Sequence, residues 1–195
     1  IEEKVSELQR ELTRRAEKEK RRAEEKRRAE EKRRVEELRK AKAAADWKVI
    51  EAAIREELEK PTGELTKADL EKVIWRKLSN NQLTELPKGL EQLTQLKRLY
   101  LCDNQLTDVT GLEKLTQLTS LDLSNNKLAD LKGLEKLTHL TALDLGVNKL
   151  TDVKFLEKLT QLTDLYLYDN QLTSVKGLEK HAQLKHLFLG DNQLT

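Results

Sequence analysis

Two sets of side chains in this sequence have the types and spacing that chemistry would need. Asp122 and Asp144 occupy the same place in successive copies of a repeated segment, and two carboxylates held side by side shift one another's pKa as a catalytic pair does. Cys102 and His186 are the residue types of a nucleophile and its base. Calcium is a further option for the carboxylates, but it takes about six to eight oxygen ligands, more than a bare pair supplies. The elements that position these residues decide between these chemistries.

An internal repeat accounts for the chain from residue 70 onward. One copy reads LTQLKRLYLCDNQLTDVTGLEK from Leu93, which is 22 residues. Further full copies begin at Leu115, Leu137 and Leu159. A degenerate copy of 23 residues begins near Leu70, and a partial copy, HAQLKHLFLGDNQLT, runs from His181. The sequence thus predicts five full copies and one partial copy over residues 70–195, numbered repeats 1 to 6 below.

Each copy contains the pattern LxxLxLxxNxL, which predicts a short strand followed by a tight turn. Alternating leucines such as Leu99 and Leu101 give the strand one buried face. An asparagine recurs at the turn, where its side chain can satisfy backbone groups that the turn leaves unpaired. These asparagines are Asn81, Asn104, Asn126, Asn148, Asn170 and Asn192. Because no copy can bury its apolar face alone, the copies must stack.

The repeats resemble the internalin-like class of bacterial leucine-rich repeats, whose unit LTxLxxLxLxxNxLTDVxGLEK matches over about residues 65–195. The resemblance implies an α/β leucine-rich-repeat solenoid with a parallel β-sheet on its concave face. It also implies a protein-binding role, since members of that class are generally protein-binding modules. Arg76 stands in a core slot that other copies fill with leucine, which predicts irregular strand geometry in repeat 1. Phe155 replaces a glycine of the other copies and is predicted to fill a gap or mark a bulge.

The positions that vary between copies flank the strand leucines, and strand alternation points them away from the core. Several are aromatic, a class over-represented at binding surfaces. The predicted partner-binding residues are Trp75, Arg98, Tyr100, Asp122, Asp144, Asp164, Tyr166, Tyr168, His186 and Phe188. The three aspartates are predicted to form an acidic patch between aromatic anchors. We therefore predict that the concave face binds a protein or peptide that offers Arg or Lys to this patch.

The same placement argues against catalysis. A flat sheet face offers no enclosing pocket that would exclude water from a site. Cys102 and His186 lie four copies apart, about 19 Å at the strand spacing, which is too far for a nucleophile and its base. His139 and His181 fall outside the strand positions and are predicted to lie at the surface. The sequence therefore predicts a protein that is not an enzyme and that has no metal and no cofactor.

A helical cap is predicted over residues 46–69, ahead of the repeats. An apolar stripe runs along this segment and consists of Trp47, Ile50, Ile54 and Leu58. Pro61 and Gly63 are predicted to end the helix, and Thr66 with Asp69 has the form of a capping box. A solenoid needs such a cap, polar on one face and apolar on the other, over its first repeat.

Residues 1–45 predict a single charged helix that acts as a stiff spacer. The hexad EKRRAE repeats over residues 19–36, and six residues turn a helix by about 600°, so its apolar residues form no continuous stripe. Charge pairs such as Glu24 with Arg28 stabilise the helix. A brief apolar seam at Ile1, Val5, Leu8 and Leu12 leaves oligomerisation through residues 1–12 open. A structural spacer or oligomerising element is therefore the first alternative function.

Composition bounds the remaining alternatives. Residues 13–34 carry twelve Lys and Arg against six Glu, which suggests a nucleic-acid-associated factor, but residues 1–46 lack the aromatics of single-strand binders, so this reading is disfavoured. No apolar run reaches the length of a membrane span. One cysteine permits no intrachain disulfide and leaves the compartment open, with the cytoplasm slightly favoured. Because the chain starts at Ile1 and stops inside a repeat, we expect it to be part of a longer protein.

Overall fold

The computed structural model describes the backbone of residues 2–195, and in the first helix it describes the side chains of residues 4, 14–15, 17–38, 41, 47–48, 50–52 and 54–56. The chain divides into two compact units, Ile1–Ala45 and Asp46–Thr195. The side chains of the predicted seam at Ile1, Val5, Leu8 and Leu12 lie outside the described residues.

Helix α1 spans Glu2–Glu57. Every side chain from residue 17 to residue 38 is exposed, as expected of a helix without an apolar stripe. Pairs one helical turn apart are present at Glu24–Arg28 (2.9 Å) and Arg33–Glu37 (3.6 Å). Among the described residues, no helix combines the length and the apolar character that crossing a membrane requires.

The apolar stripe of the cap lies in the core. Ile50 and Ile54 are fully buried, and Trp47 and Leu58 are half-buried against the same core as the leucines of the repeats. The edge of the Trp47 ring lies over Gly89 of repeat 1, where an added Cβ would be 2.4 Å from Cε3 of the ring. Gly89 also has a left-handed φ of 99°, so both the backbone and the packing require glycine there.

Helix α2 (Lys67–Leu70) is one turn long and begins with the predicted capping box. The Asp69 N–H donates to Oγ1 of Thr66 (3.3 Å), and the Thr66 N–H donates to the Asp69 carboxylate (2.9 Å). Lys60 Nζ also donates to that carboxylate (2.6 Å). These contacts, with Lys60 as the largest cause, hold the pKa of Asp69 well below its usual range.

Six short parallel strands form one sheet in chain order, which confirms the predicted architecture. They are β1 (Trp75–Lys77), β2 (Arg98–Tyr100), β3 (Ser120–Asp122), β4 (Ala142–Asp144), β5 (Asp164–Tyr166) and β6 (His186–Phe188). In β2 to β5 the middle residue is a buried leucine. Leu187 of β6 is 40 % exposed, because β6 has a neighbouring strand on one side where β5 has two.

The irregularity predicted for repeat 1 is wrong. Arg76 is buried (4 % exposed) and pairs in regular register with Leu99 of β2. The long aliphatic stem of arginine can fill a slot built for leucine, which explains why the strand keeps its geometry.

The other side of the solenoid consists of short 3-10 turns. They span Leu90–Gln92, Leu112–Lys114, Leu134–Lys136 and Lys154–Lys158. The first three follow a glycine in the left-handed conformation, as at Gly133 (φ 99°). In repeat 4 the turn follows Val153 (φ −124°) and is five residues long, and Phe155 within it packs partly buried against the core. Phe155 therefore fills space and extends the turn.

The recurring asparagines form a ladder between repeats. Oδ1 of Asn126 accepts from the Leu106 N–H (3.0 Å), and its Nδ2 donates to the carbonyls of Leu123 (3.0 Å) and of a residue in the preceding repeat (3.0 Å). Equivalent bonds are made by Asn104, Asn148, Asn170 and Asn192. Asn81 in repeat 1 is exposed and donates to the Ser79 carbonyl (2.9 Å). The ladder confirms the predicted role of these residues.

Candidate binding face

The parallel register arranges the variable positions of the concave face in three rows that cross the strands. The first row is Trp75, Arg98, Ser120, Ala142, Asp164 and His186. The second row is Lys77, Tyr100, Asp122, Asp144, Tyr166 and Phe188. The third row follows the second leucine of each strand and is Ser79, Cys102, Ser124, Gly146, Tyr168 and Gly190. Neighbours within a row are one strand apart, about 4.8 Å.

Asp122 and Asp144 are neighbours in the second row and form the acidic pair of the face. Asp122 Oδ1 accepts from the N–H and the hydroxyl of Ser124 (3.0 and 2.7 Å). Asp144 Oδ1 accepts from the Gly146 N–H (2.9 Å). Burial raises the pKa of the Asp144 carboxyl, the charge of Asp122 adds to the rise, and the bond from Gly146 acts against it.

Asp164 does not join that pair. It lies in the first row, where its Oδ1 is 2.5 Å from Nδ1 of His186 and its Oδ2 accepts from the Thr163 hydroxyl (2.6 Å). These two contacts, with Thr163 the larger cause, lower the pKa of the Asp164 carboxyl. The three aspartates predicted as one patch are therefore an acidic pair and a separate aspartate–histidine contact.

Tyr168 lies across the third row toward the acidic pair. An added Cβ at Gly146 would be 2.3 Å from Cε1 and Cζ of the Tyr168 ring, so the ring occupies the space that a side chain at this position would need. Burial raises the pKa of the Tyr168 phenol, and the charges of Asp144, Asp122, Asp169 and Asp103 add to the rise in that order.

Two acidic residues that were not predicted as part of the site, Asp103 and Asp169, lie beside this face. Both act on the Tyr168 phenol through their charges. Both also have a left-handed backbone (φ 56° and 53°) at the position directly before a ladder asparagine. The signal in the sequence is an Asp-Asn pair at a turn, because Asp and Asn tolerate that conformation.

The predicted aromatic anchors lie on different strands of the concave face and do not form one cluster. Tyr166 and Phe188 are neighbours in the second row, and their rings stack with centroids 4.8 Å apart and planes 4° apart. Phe188 remains 48 % exposed, so the stack presents apolar surface to solvent. Tyr100 is the neighbour of Asp122, and Trp75, 45 % exposed, begins the first row.

Lys77 and Arg98 lie at the end of the face formed by repeats 1 and 2 and are both exposed. Lys77 begins the second row, and Arg98 is the first-row neighbour of Trp75. Arg98 was among the predicted partner-binding residues and Lys77 was not, although both flank the central residue of a strand.

The remaining candidates for chemistry are separated. Cys102 is in repeat 2, its Sγ lies 3.1 Å from Oγ of Ser79, and burial raises the pKa of its thiol, whereas His186 is in repeat 6. His139 is exposed, as predicted. His181 was predicted at the surface but is 5 % exposed, because it takes the place of the first leucine of the repeat and its Nε2 meets the Leu156 carbonyl (3.1 Å). Among the described residues, no group of three or more His, Cys, Asp or Glu could hold a metal ion.

Comparison with known proteins agrees with this geometry. A leucine-rich-repeat family model matches residues 77–128, and a second, for two copies of the repeat, matches residues 116–158. No curated protein sequence matches the chain. The fold and the repeat together define a leucine-rich-repeat solenoid.

Solved structures with this fold include bacterial proteins. An internalin (inlF) from Listeria monocytogenes is 37 % identical with a TM-score of 0.61, and the match covers 65 % of this chain and 37 % of that one. A leucine-rich-repeat protein of Leptospira interrogans is 35 % identical with a TM-score of 0.61, covering 69 % of this chain and 35 % of that one. Internalin C2 of Listeria monocytogenes is 25 % identical with a TM-score of 0.51, and the match covers 73 % of this chain and 83 % of that one.

The chain spans little more than a third of the length of the first two of these relatives. The chain is a leucine-rich-repeat protein, and it is similar to bacterial leucine-rich-repeat proteins that include this internalin.

Proposed function

We propose that this chain is a protein-interaction scaffold whose concave face binds a protein or peptide partner. Leucine-rich-repeat proteins in general are interaction scaffolds without enzymatic activity, and we propose no catalysis here because the candidate nucleophile and base are four repeats apart. The partner is proposed to place an Arg or Lys side chain at Asp122 and Asp144.

The acidic pair carries this proposal. Asp122 and Asp144 are adjacent, half-buried and, within the fully described residues 58–195, in contact with no Lys or Arg of the chain itself. Two carboxylates so close repel each other, and a cation between them relieves the repulsion. Tyr100 and Tyr166 flank the pair on either side in the same row, and a guanidinium or ammonium group also interacts favourably with such rings.

The test is capture of partners from the source organism by immobilised protein, followed by affinity measurement with each recovered partner. The variant Asp122→Asn with Asp144→Asn should bind at least about tenfold more weakly, since it removes the charges that a basic side chain would meet. The matched control is Glu56→Gln with Glu157→Gln, which removes two exposed carboxylates away from the concave face. Equal capture by both variants would show that the concave pair takes no part in binding.

A second function, as a spacer, is proposed for residues 17–38. Their side chains are all exposed, and charge pairs one turn apart lie along the helix. A helix of that length extends about 33 Å. A peptide of residues 14–41 should be helical and monomeric by circular dichroism and sedimentation, and added salt should reduce its helicity. Self-association would favour the oligomerising alternative, and strongly salt-dependent binding to RNA or DNA would favour the nucleic-acid alternative.

A further inference from the structure

Charge is segregated along the concave face. The two exposed cations, Lys77 and Arg98, lie on β1 and β2. The acidic pair, Asp122 and Asp144, lies on β3 and β4. The stacked rings of Tyr166 and Phe188 lie on β5 and β6. The face thus changes from basic to acidic to aromatic in the order of the repeats.

These charges are not neutralised within the chain. In residues 58–195, Lys77 and Arg98 form no ion pair, and Asp122 and Asp144 accept hydrogen bonds from the uncharged groups of Ser124 and Gly146. Asp164 is different, because it is in contact with His186. Charges left without a partner on an ordered sheet face are complementary to opposite charges on a ligand, and they determine which ligand binds and in which orientation.

The three groups are evenly spaced. Each occupies two adjacent strands, so successive groups are two strand spacings apart, about 10 Å. A polyproline II segment has three residues per turn and rises about 3.1 Å per residue, so every third side chain lies on one side, about 9 Å apart. An extended strand does not fit, because residues three apart point to opposite sides.

We infer that the concave face binds a peptide segment in the polyproline II conformation. The segment has an acidic, a basic and an aromatic residue in that order, each three residues after the one before. The acidic residue lies at Lys77 and Arg98, the basic residue at the acidic pair, and the aromatic residue at the Tyr166–Phe188 stack. This inference rests on the proposed function and specifies the chemistry of the partner.

Two peptides of identical composition test the order of charges. The first, acetyl-Gly-Glu-Pro-Pro-Arg-Pro-Pro-Trp-Gly-amide, matches the face. The second exchanges Glu and Arg, so that the central residue is acidic whichever way the chain runs along the face. In titrations followed by ¹H–¹⁵N NMR, the first peptide should bind about tenfold or more tightly than the second. The chemical-shift changes should lie on the strands of the concave face.

A charge-exchanged face provides the reciprocal experiment. The variant Lys77→Glu, Arg98→Glu, Asp122→Lys, Asp144→Lys should prefer the second peptide. Should that variant fail to fold by circular dichroism, the milder Lys77→Gln with Arg98→Gln should weaken binding of the first peptide and leave unchanged the binding of an analogue with Gln in place of its Glu. All four positions are at least partly exposed, so folding is expected.

Equal affinity for the two peptides, binding of neither, or a preference that does not reverse each overturns the inference. The proposed function fails separately. If Asp122→Asn with Asp144→Asn weakens binding of captured partners while the two peptides bind equally, the concave face binds its partner but does not select for the order of charges. If neither experiment depends on these residues, both proposals fall.

Discussion

Repeats 3 (115–136) and 4 (137–158) are adjacent and share 15 of their 22 residues, yet they differ in local structure. They share the positions that build the solenoid, including the ladder asparagines Asn126 and Asn148, and they share the acidic pair. They differ at three positions with structural consequences, which are Ser124/Gly146, Asn125/Val147 and Gly133/Phe155. Shared residues therefore hold the repeats together, while the differences change what lies on the face, at the turn and on the far side.

Each difference has a visible result in repeat 4. Gly146 leaves room for the Tyr168 ring of the next repeat. Val147 has a left-handed φ of 55°, a conformation that a β-branched residue adopts only under strain. Phe155 lengthens the 3-10 turn from three residues to five. Repeat 3 has the regular form. Repeat 4 departs from it, and these departures make room for the Tyr168 ring and let Phe155 pack against the core.

The largest expected effect comes from a position that the two repeats share. Asn148→Ala leaves the Leu128 N–H without the side-chain oxygen that accepts its hydrogen bond. It also removes the Nδ2 group that donates to three backbone carbonyls, among them those of Leu123 and Leu145. A buried N–H left without a partner costs about 1–3 kcal/mol, so we expect a loss of about 3 kcal/mol in the free energy of unfolding. Chemical denaturation should show it, with a similar loss for Asn126→Ala.

Asn81→Ala is the matched control for the ladder. Asn81 is exposed and has no earlier asparagine turn to join, so its substitution should change stability by less than about 0.5 kcal/mol. Equal losses at Asn81 and Asn148 would mean that the asparagines act within their own turns rather than between repeats.

The second effect tests the first difference between the repeats. Gly146→Ser gives repeat 4 the residue of repeat 3 and places a Cβ against the Tyr168 ring. Overpacking of this kind costs about 2 kcal/mol, and the displaced ring should become less buried and lie farther from the charges of Asp144 and Asp122. Ultraviolet titration should then show the raised tyrosine pKa moving back toward its ordinary value.

Gly190→Ser is the control for that experiment, because no atom lies within 4 Å of a Cβ added at Gly190. It should leave both stability and the tyrosine titration unchanged. The pairing of Gly146 with Tyr168 is contradicted if both serine variants behave alike, or if Tyr168→Ala does not rescue Gly146→Ser.

The solenoid could be predicted because its pattern is repeated. Each LxxLxLxxNxL copy predicts the same buried strand and the same asparagine turn, and the family resemblance implied the parallel sheet. The bonds that the asparagines make between repeats were not predicted. Where a single copy departs, the prediction depended on the chemistry of one side chain. Arg76 was expected to disturb its strand, but its aliphatic stem fills the leucine slot. His181 was expected at the surface, but it occupies a leucine position in the core.

The candidate face could be predicted only in part. Alternation along a strand shows which side a residue faces, so the membership of the face followed from the sequence. It does not show which rows meet. Asp164 was grouped with Asp122 and Asp144, yet it lies in another row against His186. The position of Tyr168 over Gly146 depends on space left in the neighbouring repeat, which a comparison of repeats one position at a time does not reveal.

A smaller effect, of opposite sign, tests the second difference. Val147→Asn replaces a strained β-branched residue in a left-handed backbone with one that tolerates it, so the free energy of unfolding should rise by about 1 kcal/mol. The reciprocal Asn125→Val should lower it by more than that, because it also removes the bond from Asn125 Nδ2 to Asp103 (2.6 Å). If Val147→Asn destabilises the protein, the strain assigned to repeat 4 is wrong.

The smallest effect concerns pH and the third difference. In repeat 3 the Glu135 carboxylate accepts from the Gly133 N–H (2.7 Å), and bonds from its own N–H and that of Gly133 lower the pKa of Glu135 below the usual 4.5. A carboxyl with a lowered pKa in the folded state stabilises the protein above its unfolded pKa, and this contribution is lost as the pH falls through the folded pKa. In repeat 4, where Phe155 replaces the glycine, Glu157 accepts no such bond within the fully described residues 58–195.

Glu135→Gln should therefore lower the Tm at about pH 7 by on the order of 1 °C, and the difference from wild type should shrink as the pH falls through the lowered pKa of Glu135 in the folded protein. Glu157→Gln should leave the Tm unchanged throughout this pH range. Calorimetry across this range decides the matter: a difference for Glu135→Gln that persists in acid would show that the carboxylate charge is not what stabilises the turn, and an equal effect at Glu157 would show that the glycine is not required for it.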